Sequence, residues 1–523
     1  MEACSRWVRI GFFAVLTVGF LWRVTRYALS FPIWGDEAML LLNIHERDYA
    51  GLTHLLKFAQ VAPLFFLWLE KLATDLLGPA EWSVHLFPFL AGLLGLFAFW
   101  RLCRTMLTPG VAGIAVAILA VSYYPVRHSA EVKPYVFDLL AAIIYAWLAL
   151  EHVRDQGSWR WLAALVVFAP LAVFTSYPSV FVGGAVSLVL LPGMRSACWV
   201  QRGLFALFNV ALCSAFLFNV TMIGKPETEI DSAETTRQFL HDYWKDAFPP
   251  EDLVQWPVWL VKVMSGNMLA YPLGANHGGS TATLLLVLLG SIALWRGAFT
   301  PPPPGEKGEE GAPVKPRGRA ILALCWLPFL LNLIAACFHK YPFGESARIT
   351  LHLAPFICIL MAHGLCQLLA WIPSSAWQSR GQVAVYALLL VCGIVGLVRD
   401  VRKPYKTEHD REVRQLAIDI SQQAGEEPVW LCHADERELI AEFQWHMRIR
   451  SRRLEWLTPE SAIPSTTQAG WLVRCGPSEP TLAYVVERAG PGWRVAEQGV
   501  RAVPPENAKM PTMHCRWVRI VRE

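Results

Sequence analysis

The sequence predicts a polytopic α-helical membrane protein of about eleven transmembrane helices, followed by a small C-terminal α/β soluble domain. Composition is the first ground. Of 523 residues, 54% are hydrophobic and 17% charged, with a mean hydropathy of +0.36, whereas soluble domains carry about 25% charge. Charge placement is the second. Residues 1–398 hold 51 of the 88 Asp, Glu, Lys and Arg residues, 13% of that stretch, while residues 399–523 hold 37, or 30%. The third is that windows approaching the roughly 20 apolar residues needed to cross a bilayer recur only in the first part. An ordinary cytosolic enzyme and a disordered chain are excluded. A net charge of +4 also argues against nucleic-acid binding through a basic surface.

The windows lie near 8–28, 83–100, 111–126, 135–150, 160–176, 178–193, 204–223, 281–295, 320–338, 349–371 and 382–398. An odd number puts the termini on opposite sides. Arg6, Arg9, Arg101, Arg104, Arg154, Arg160, Arg195, Arg202, Arg296, Lys307, Lys315, Arg317 and Arg319 then share one side, which the positive-inside rule makes cytoplasmic. The N-terminus is expected inside and the C-terminal domain outside, in a plasma (inner) membrane. The first window competes with a signal peptide. No small-residue cleavage site follows Trp22, and Arg23 and Arg26 suit an uncleaved helix whose cations snorkel to the interface.

Two apolar stretches fall short of spans. Phe58–Leu69 has about 12 residues between Lys57 and Glu70, and 253–273 is broken by Pro257, Lys262, Gly266 and Pro272. Both read as interfacial or re-entrant helices within large outer loops at 29–82 and 224–280. The cytoplasmic side keeps short turns and one Pro/Gly-rich linker, Pro301–Pro316. Residues 1–398 thus form the membrane module and 399–523 the extracytoplasmic domain. In the latter, 412–423 and 436–447 have helical periodicity, while 429–432, 471–474, 493–495 and 515–521 read as strands. Six of the twelve cysteines, including Cys325 and Cys358, lie within spans. Cys432, Cys475 and Cys515 lie in the tail, where the count allows one disulfide and one free thiol, or none, with the pair left open.

Chemistry is sought where polar residues gather, and three clusters fall on the outer side. Trp34-Gly35-Asp36-Glu37 precedes an apolar helical run. Such acids can simply cap a helix, but an ionised Asp at the membrane surface is also placed to act as a general base. Arg127-His128-Ser129-Ala130-Glu131-Val132-Lys133-Pro134-Tyr135 packs many polar groups into one short turn. Beside hydrocarbon these are functional candidates, or else interface anchors. His339-Lys340-Tyr341-Pro342-Phe343-Gly344-Glu345-Ser346-Ala347-Arg348 brackets a Pro and a Gly with three cations. A phosphate is the natural ligand for cations so grouped, and snorkelling to lipid headgroups is the alternative.

At these residues the sequence resembles the GT-C lipid-linked-sugar transferases, family 39-like relatives of the protein O-mannosyltransferases and the aminoarabinose lipid A transferase. The family's Asp-Glu pair after the first span is matched by Asp36-Glu37. Its Pro-Pro-Leu-Tyr-Tyr segment is matched by Ala62-Pro63-Leu64-Phe65-Phe66, and its Ser-Gln-Glu-x-Arg-Pro-Tyr turn by Ser129–Tyr135. Ala62, Ala130 and Lys133 depart from the pattern, standing for Pro, Gln and Arg. The match covers roughly the first 180 residues, with a looser fit at 341–348.

The resemblance implies a hexosyl- or pentosyltransferase that takes sugar from a polyprenyl-phosphate donor and places it on a lipid, glycan or protein acceptor. It implies Asp36 as base, with Glu37 orienting it or binding substrate. Arg127, Lys133, His339, Lys340 and Arg348 would bind the donor phosphate, and Trp34, Gln60, His128, Glu131, Tyr135 and Tyr341 would line the cavity. Asp36, Glu37, His128 and Glu131 are hard ligands that leave a divalent metal open without specifying one. The competing function is a polytopic transporter or flippase for a lipid-linked or anionic substrate. Transporters place polar sites near the bilayer midplane within repeats, whereas these clusters sit at span ends.

Overall fold

The computed structural model describes residues 2–155, 158–223, 238, 241–273, 279–298, 315–432, 437–450, 454–457, 463–487, 489–505 and 511–523. Lys307, most of the Pro301–Pro316 linker, and residues 224–237 and 274–278 of the second outer loop lie outside them.

The chain is a multi-pass membrane protein, and a helix occupies each of the eleven apolar windows. Helix α1 is Glu2–Ala28. The first outer loop then holds α2 (Gly35–Glu46), α3 (Leu64–Leu77) and α4 (Glu81–Val84). There follow α5 (Leu86–Met106), α6 (Pro109–Ala120), α7 (Tyr123–Arg127), α8 (Tyr135–Arg154), α9 (Arg160–Thr175), α10 (Ser179–Leu190) and α11 (Trp199–Met222). The second outer loop holds α12 (Trp256–Ser265). The bundle ends with α13 (Gly279–Trp295), α14 (Lys315–Cys337), α15 (Ala354–Ala370) and α16 (Ser375–Arg402). Among the described residues, seven helices are individually long and apolar enough to cross a membrane, and the bent pair α6 and α7 passes the same test only when taken together. The remaining three windows hold the shorter apolar helices Arg160–Thr175, Ser179–Arg195 and Gly279–Trp295.

Several expectations are corrected. The window 111–126 is not one straight helix but bends by 55°. Ser122 turns its hydroxyl back to the Ile118 carbonyl at 2.6 Å, and the Tyr123 N–H leaves the ladder for the Pro272 carbonyl at 2.9 Å. The stretch Phe58–Leu69 is not a single helix. Phe58 and Ala59 adopt positive φ, and Pro63 delays the helix to Leu64. Between Leu253 and Leu273 the α-helix covers only Trp256–Ser265. Arg23 and Arg26 do not snorkel. Arg23 is buried and donates to the carbonyls of Ala120 and Leu119, satisfying the end of α6. Arg26 pairs with Asp400 at 2.7 Å, and the Trp22 indole joins the same carboxylate.

Helices α13 and α15 cross at their glycines. A Cβ on Gly290 would lie 1.9 Å from the Leu360 carbonyl, and one on Gly364 would lie 2.1 Å from that of Leu286. Small residues are what allow such backbone approach between apolar helices.

The C-terminal domain contains α17 (Glu408–Ala424), β1 (Val429–Cys432), α18 (Arg437–Arg448), β2 (Leu454–Leu457), β3 (Ala469–Gly476), α19 (Leu482–Glu487), β4 (Trp493–Val503) and β5 (Met513–Arg522). The sheet order is β2-β1-β3-β5-β4. β1 runs parallel to β2 and β3, and β5 antiparallel to β3 and β4. Thr407 and Asp410 exchange side-chain to backbone hydrogen bonds and start α17. The disulfide joins the cross-strand partners Cys475 and Cys515, and Cys432 is buried on β1 outside it. Strand β2 and helix α19 were absent from the sequence expectation. β2 has only four residues and α19 six, and unlike the all-apolar Val429–Cys432 run, β2 carries Glu455 in its middle.

Helix α18 serves two cores. Phe443 and Met447 pack with α17 and the sheet, whereas Ala441, Trp445 and Ile449 pack with α2 and the first outer loop.

Candidate active site

Helix α2 positions the first group. Trp34 precedes it in extended conformation, and Asp36 and Glu37 occupy its first turn, where the helix dipole favours negative charge. The two acids diverge. Glu37 is buried, accepts from the Val132 N–H at 2.5 Å and lies 3.4 Å from His85 Nε2. It therefore ties α2 to the 131–133 turn instead of facing a cavity. Asp36 keeps about a quarter of its side chain exposed and meets two cations, Lys133 Nζ at 2.9 Å on Oδ1 and Arg348 Nη1 at 3.4 Å on Oδ2.

Gln60 completes this group. Its Nε2 donates to Asp36 Oδ1 at 3.2 Å while its Oε1 accepts from Lys133 Nζ at 2.7 Å. Asn43, one helical face further along α2, sets this up by accepting from the Lys57 N–H at 2.8 Å and donating to the Lys57 carbonyl at 3.2 Å. The Tyr177 hydroxyl donates to the Ala62 carbonyl at 2.8 Å, fixing the other end of that segment.

Arg348 is held from the second outer loop. Its Nη2 donates to the Tyr243 hydroxyl at 3.1 Å, and its guanidinium lies 5.0 Å from the Trp244 ring centroid. Gly344 lets that turn close, since its φ is +77° and a Cβ there would strike Val263.

Glu131 anchors a second group. Arg127 Nε and His128 Nδ1 each lie 2.6 Å from its carboxylate, and the His128 ring meets Tyr135 edge-on at 5.0 Å. Lys406, from the segment that follows α16, places its ammonium 2.8 Å from the Trp34 ring centroid.

The electrostatics separate the carboxylates by role. Burial raises the Asp36 pKa, but Lys133 and Arg348 outweigh it and hold the carboxyl below its ordinary value. Burial likewise opposes ionisation of Glu131, and Arg127 and His128 overcome it to hold that group well below the usual range. Glu70, on α3, has no such partner. Burial and the neighbouring Glu37 push it well above its ordinary value.

Not every expected residue converges. His339 stacks with His241 and Phe248, and Lys340 is exposed. Among the described residues no hydrogen bond or ion pair joins either to the Asp36 group, because the chain turns at His339 with φ +52°. Tyr341 donates to the Ile349 carbonyl and packs on Phe181 and His352. Among the described residues, no group of three His, Cys, Asp or Glu side chains could hold a metal ion.

Sequence reasoning missed Asn43, His85, Tyr243, Trp244 and Lys406. Only the aromatic pair Tyr243-Trp244, in a polar loop, left a visible signal.

Residues 61–222 match the family model described as dolichyl-phosphate-mannose-protein mannosyltransferase. The fold is similar to that of ArnT from Cupriavidus metallidurans. The crystal structure bound to undecaprenyl phosphate aligns with a TM-score of 0.54 at 13% identity, covering 99% of this chain and 98% of that one. The apo structure of the same protein gives 0.53 with the same identity and coverage. An oligosaccharyltransferase from Archaeoglobus fulgidus aligns at 0.43 and 10% identity over 84% of this chain and 62% of that one. No curated protein matches in sequence. The chain has the GT-C fold, and the family-model match relates it to the glycosyltransferases built on that fold.

Proposed function

We propose that this protein is a membrane glycosyltransferase that moves a sugar from a polyprenyl-phosphate donor to an acceptor at the extracytoplasmic face. The observation that carries this reading is Asp36, a partly exposed carboxylate on a helix N-terminus, held between Lys133 and Arg348. Arg127 and Lys406 lie close by, so four cations gather about the two carboxylates Asp36 and Glu131. Such an excess suits a phosphate. The polyprenyl-phosphate donor class is supported by the family match and by the lipid phosphate named for ArnT.

The chemistry follows from these positions. A phosphate ester leaves as a weak base, so it needs no general acid but does need cations to hold its growing charge. Lys133 and Arg348 supply them. Drawn to the phosphate, they release Asp36 from the ion pairs that depress its basicity. The acceptor O–H proton passes to Asp36, its oxygen bonds to the anomeric carbon, and the carbon–phosphate-oxygen bond breaks with its electron pair leaving on the lipid phosphate. Attack opposite the leaving group inverts the anomeric centre, through an oxocarbenium-like state. Glu37 orients the base by fixing α2 against the 131–133 turn.

The orientation rests on the positive-inside rule and on the run of helices, which returns Ala28, Ala130, Cys337 and Arg402 to one end. Single cysteines at Glu345 and Thr466 should label from outside and one at Ser196 from the cytoplasm. Transfer of labelled sugar from polyprenyl-phosphate donors is the direct test. Wild type should transfer, and folded Asp36→Asn and Lys133→Ala variants should transfer far more slowly. Full transfer by both variants would overturn the site.

A further inference from the structure

The C-terminal domain touches α2 and the residues that lead into it, and α2 is the helix that carries Asp36. At its start, Lys406 lies over Trp34, and Arg414 donates to the Ser30 carbonyl at 3.4 Å. At its end, Arg448 pairs with Glu46 at 2.9 Å. Between them Trp445 is fully buried in one apolar core with Ile33, Ala38, Leu41 and Ile44. Beside this core, Glu81 receives Arg414 and Arg450, each at 3.2 Å, with His446 at 3.7 Å.

Helix α2 has reason to need this support. It has 12 residues, a length at which an isolated helix is marginal in water, and it spans no membrane. Its register must come from tertiary packing, and a displacement of about 1 Å in a reacting group can cost about a hundredfold in rate.

We propose that the C-terminal domain is a clamp that holds α2 in register for transfer, with Trp445 and the Glu81 ion pairs as positioning residues. This rests on the transferase reading above for its catalytic consequence, though not for the clamp itself.

The test compares wild type with Trp445→Ala, Trp445→Phe and the double variant Arg414→Met, Arg450→Met, all in the full chain. Amide hydrogen exchange at residues 36–46 should rise at least tenfold in Trp445→Ala and in the double variant, with β3, β5 and the bundle helices unchanged. Per folded molecule, kcat should fall at least tenfold while the donor KM stays within twofold, and Trp445→Phe should restore most of both. Unchanged exchange at 36–46 overturns the clamp. So does an activity loss fully accounted for by less folded protein. If wild type transfers no sugar, the transferase reading fails while the exchange result still decides the clamp.

Discussion

The two ends of the helix bundle use cations in opposite ways. At the end bearing α6–α5 and α16–α15 turns, Arg101, Arg104, Arg319 and Arg380 are exposed, and each lies over a tryptophan: Trp147, Trp100, Trp295 and Trp377, at 6.0, 4.9, 4.8 and 4.7 Å from the ring centroid. None of these four needs a carboxylate. At the other end, Lys133, Arg348 and Arg127 are buried or half-buried and meet Asp36 or Glu131. Exposed cations stacked on tryptophan alone are interface anchors, whereas cations withdrawn from water and paired with a carboxylate imply a built site, because desolvation must be offset by geometry. Arg348 stacks on Trp244 too, but it is half-buried and meets Asp36. The contrast lies in the partners and not in the number of positive charges.

The sharpest way to break this contrast is Asp36→Asn. Removing the base should lower transfer about 10²- to 10⁴-fold, measured as kcat with labelled donor, and should leave Lys133 and Arg348 in place. A loss below tenfold would reduce Asp36 to a helix cap. The pH profile sharpens the same point. Because Lys133 and Arg348 hold the Asp36 carboxyl below its ordinary value against the effect of burial, the ionised form persists as pH falls through the usual carboxylate range. The acid limb of kcat/KM, which reports the free enzyme, should therefore lie below the unperturbed Asp value of about 3.9. In Lys133→Ala it should move upward.

Next in size is Glu131→Gln. It leaves the half-buried Arg127 without its anion, a change that costs at most about 3 kcal/mol, the lower end of what breaking a fully buried pair costs, read as a lowered thermal unfolding midpoint in detergent. Glu131 is held ionised by Arg127 and His128 against burial. Its stabilising contribution is present above the unfolded carboxyl pKa and is lost as pH falls through the depressed one. Asn43→Ala should cost less, about 1 to 2 kcal/mol for a side chain whose amide meets the Lys57 backbone twice. Its signature should be a weakened Lys133→Ala effect on transfer, since Gln60 would no longer be held between Asp36 and Lys133.

Much of this arrangement was legible in the sequence, for reasons that differ by element. The membrane helices declare themselves because hydrocarbon demands long apolar runs. Asp36, Lys133 and Arg348 stood out because each lies in a dense polar cluster of a short connecting segment, and the clusters fall at one end of the predicted spans. Glu37 was legible as a member of the cluster, but its turn away from Asp36 depends on the Val132 N–H, 95 residues distant. His339 and Lys340 were grouped with Arg348 by their closeness in sequence, but the turn between them takes positive φ at His339, Gly344 and Glu345, and His339 stacks on His241 and Phe248 instead. Lys406 and Trp445 come from beyond the last span, and no local pattern announces that the tail folds back onto α2. Local chemistry is written in neighbouring residues, whereas contacts between distant segments are decided by packing.

The smallest expected effects lie at the opposite end, and they bear most directly on the contrast. Arg104→Ala and Arg319→Ala each remove an exposed cation stacked on Trp100 or Trp295. Exposed pairs of this kind are worth about 0.5 to 1 kcal/mol, so the unfolding midpoint should hardly move and transfer should be unchanged. What should change is orientation during insertion, because in the orientation proposed above these residues supply the cytoplasmic positive charge. Removing both together with Arg101 and Arg380 should raise the fraction of molecules whose Thr466→Cys label is reached from the cytoplasm. A loss of transfer in correctly oriented molecules would show instead that the two ends are coupled, and that the division between anchor and site is wrong.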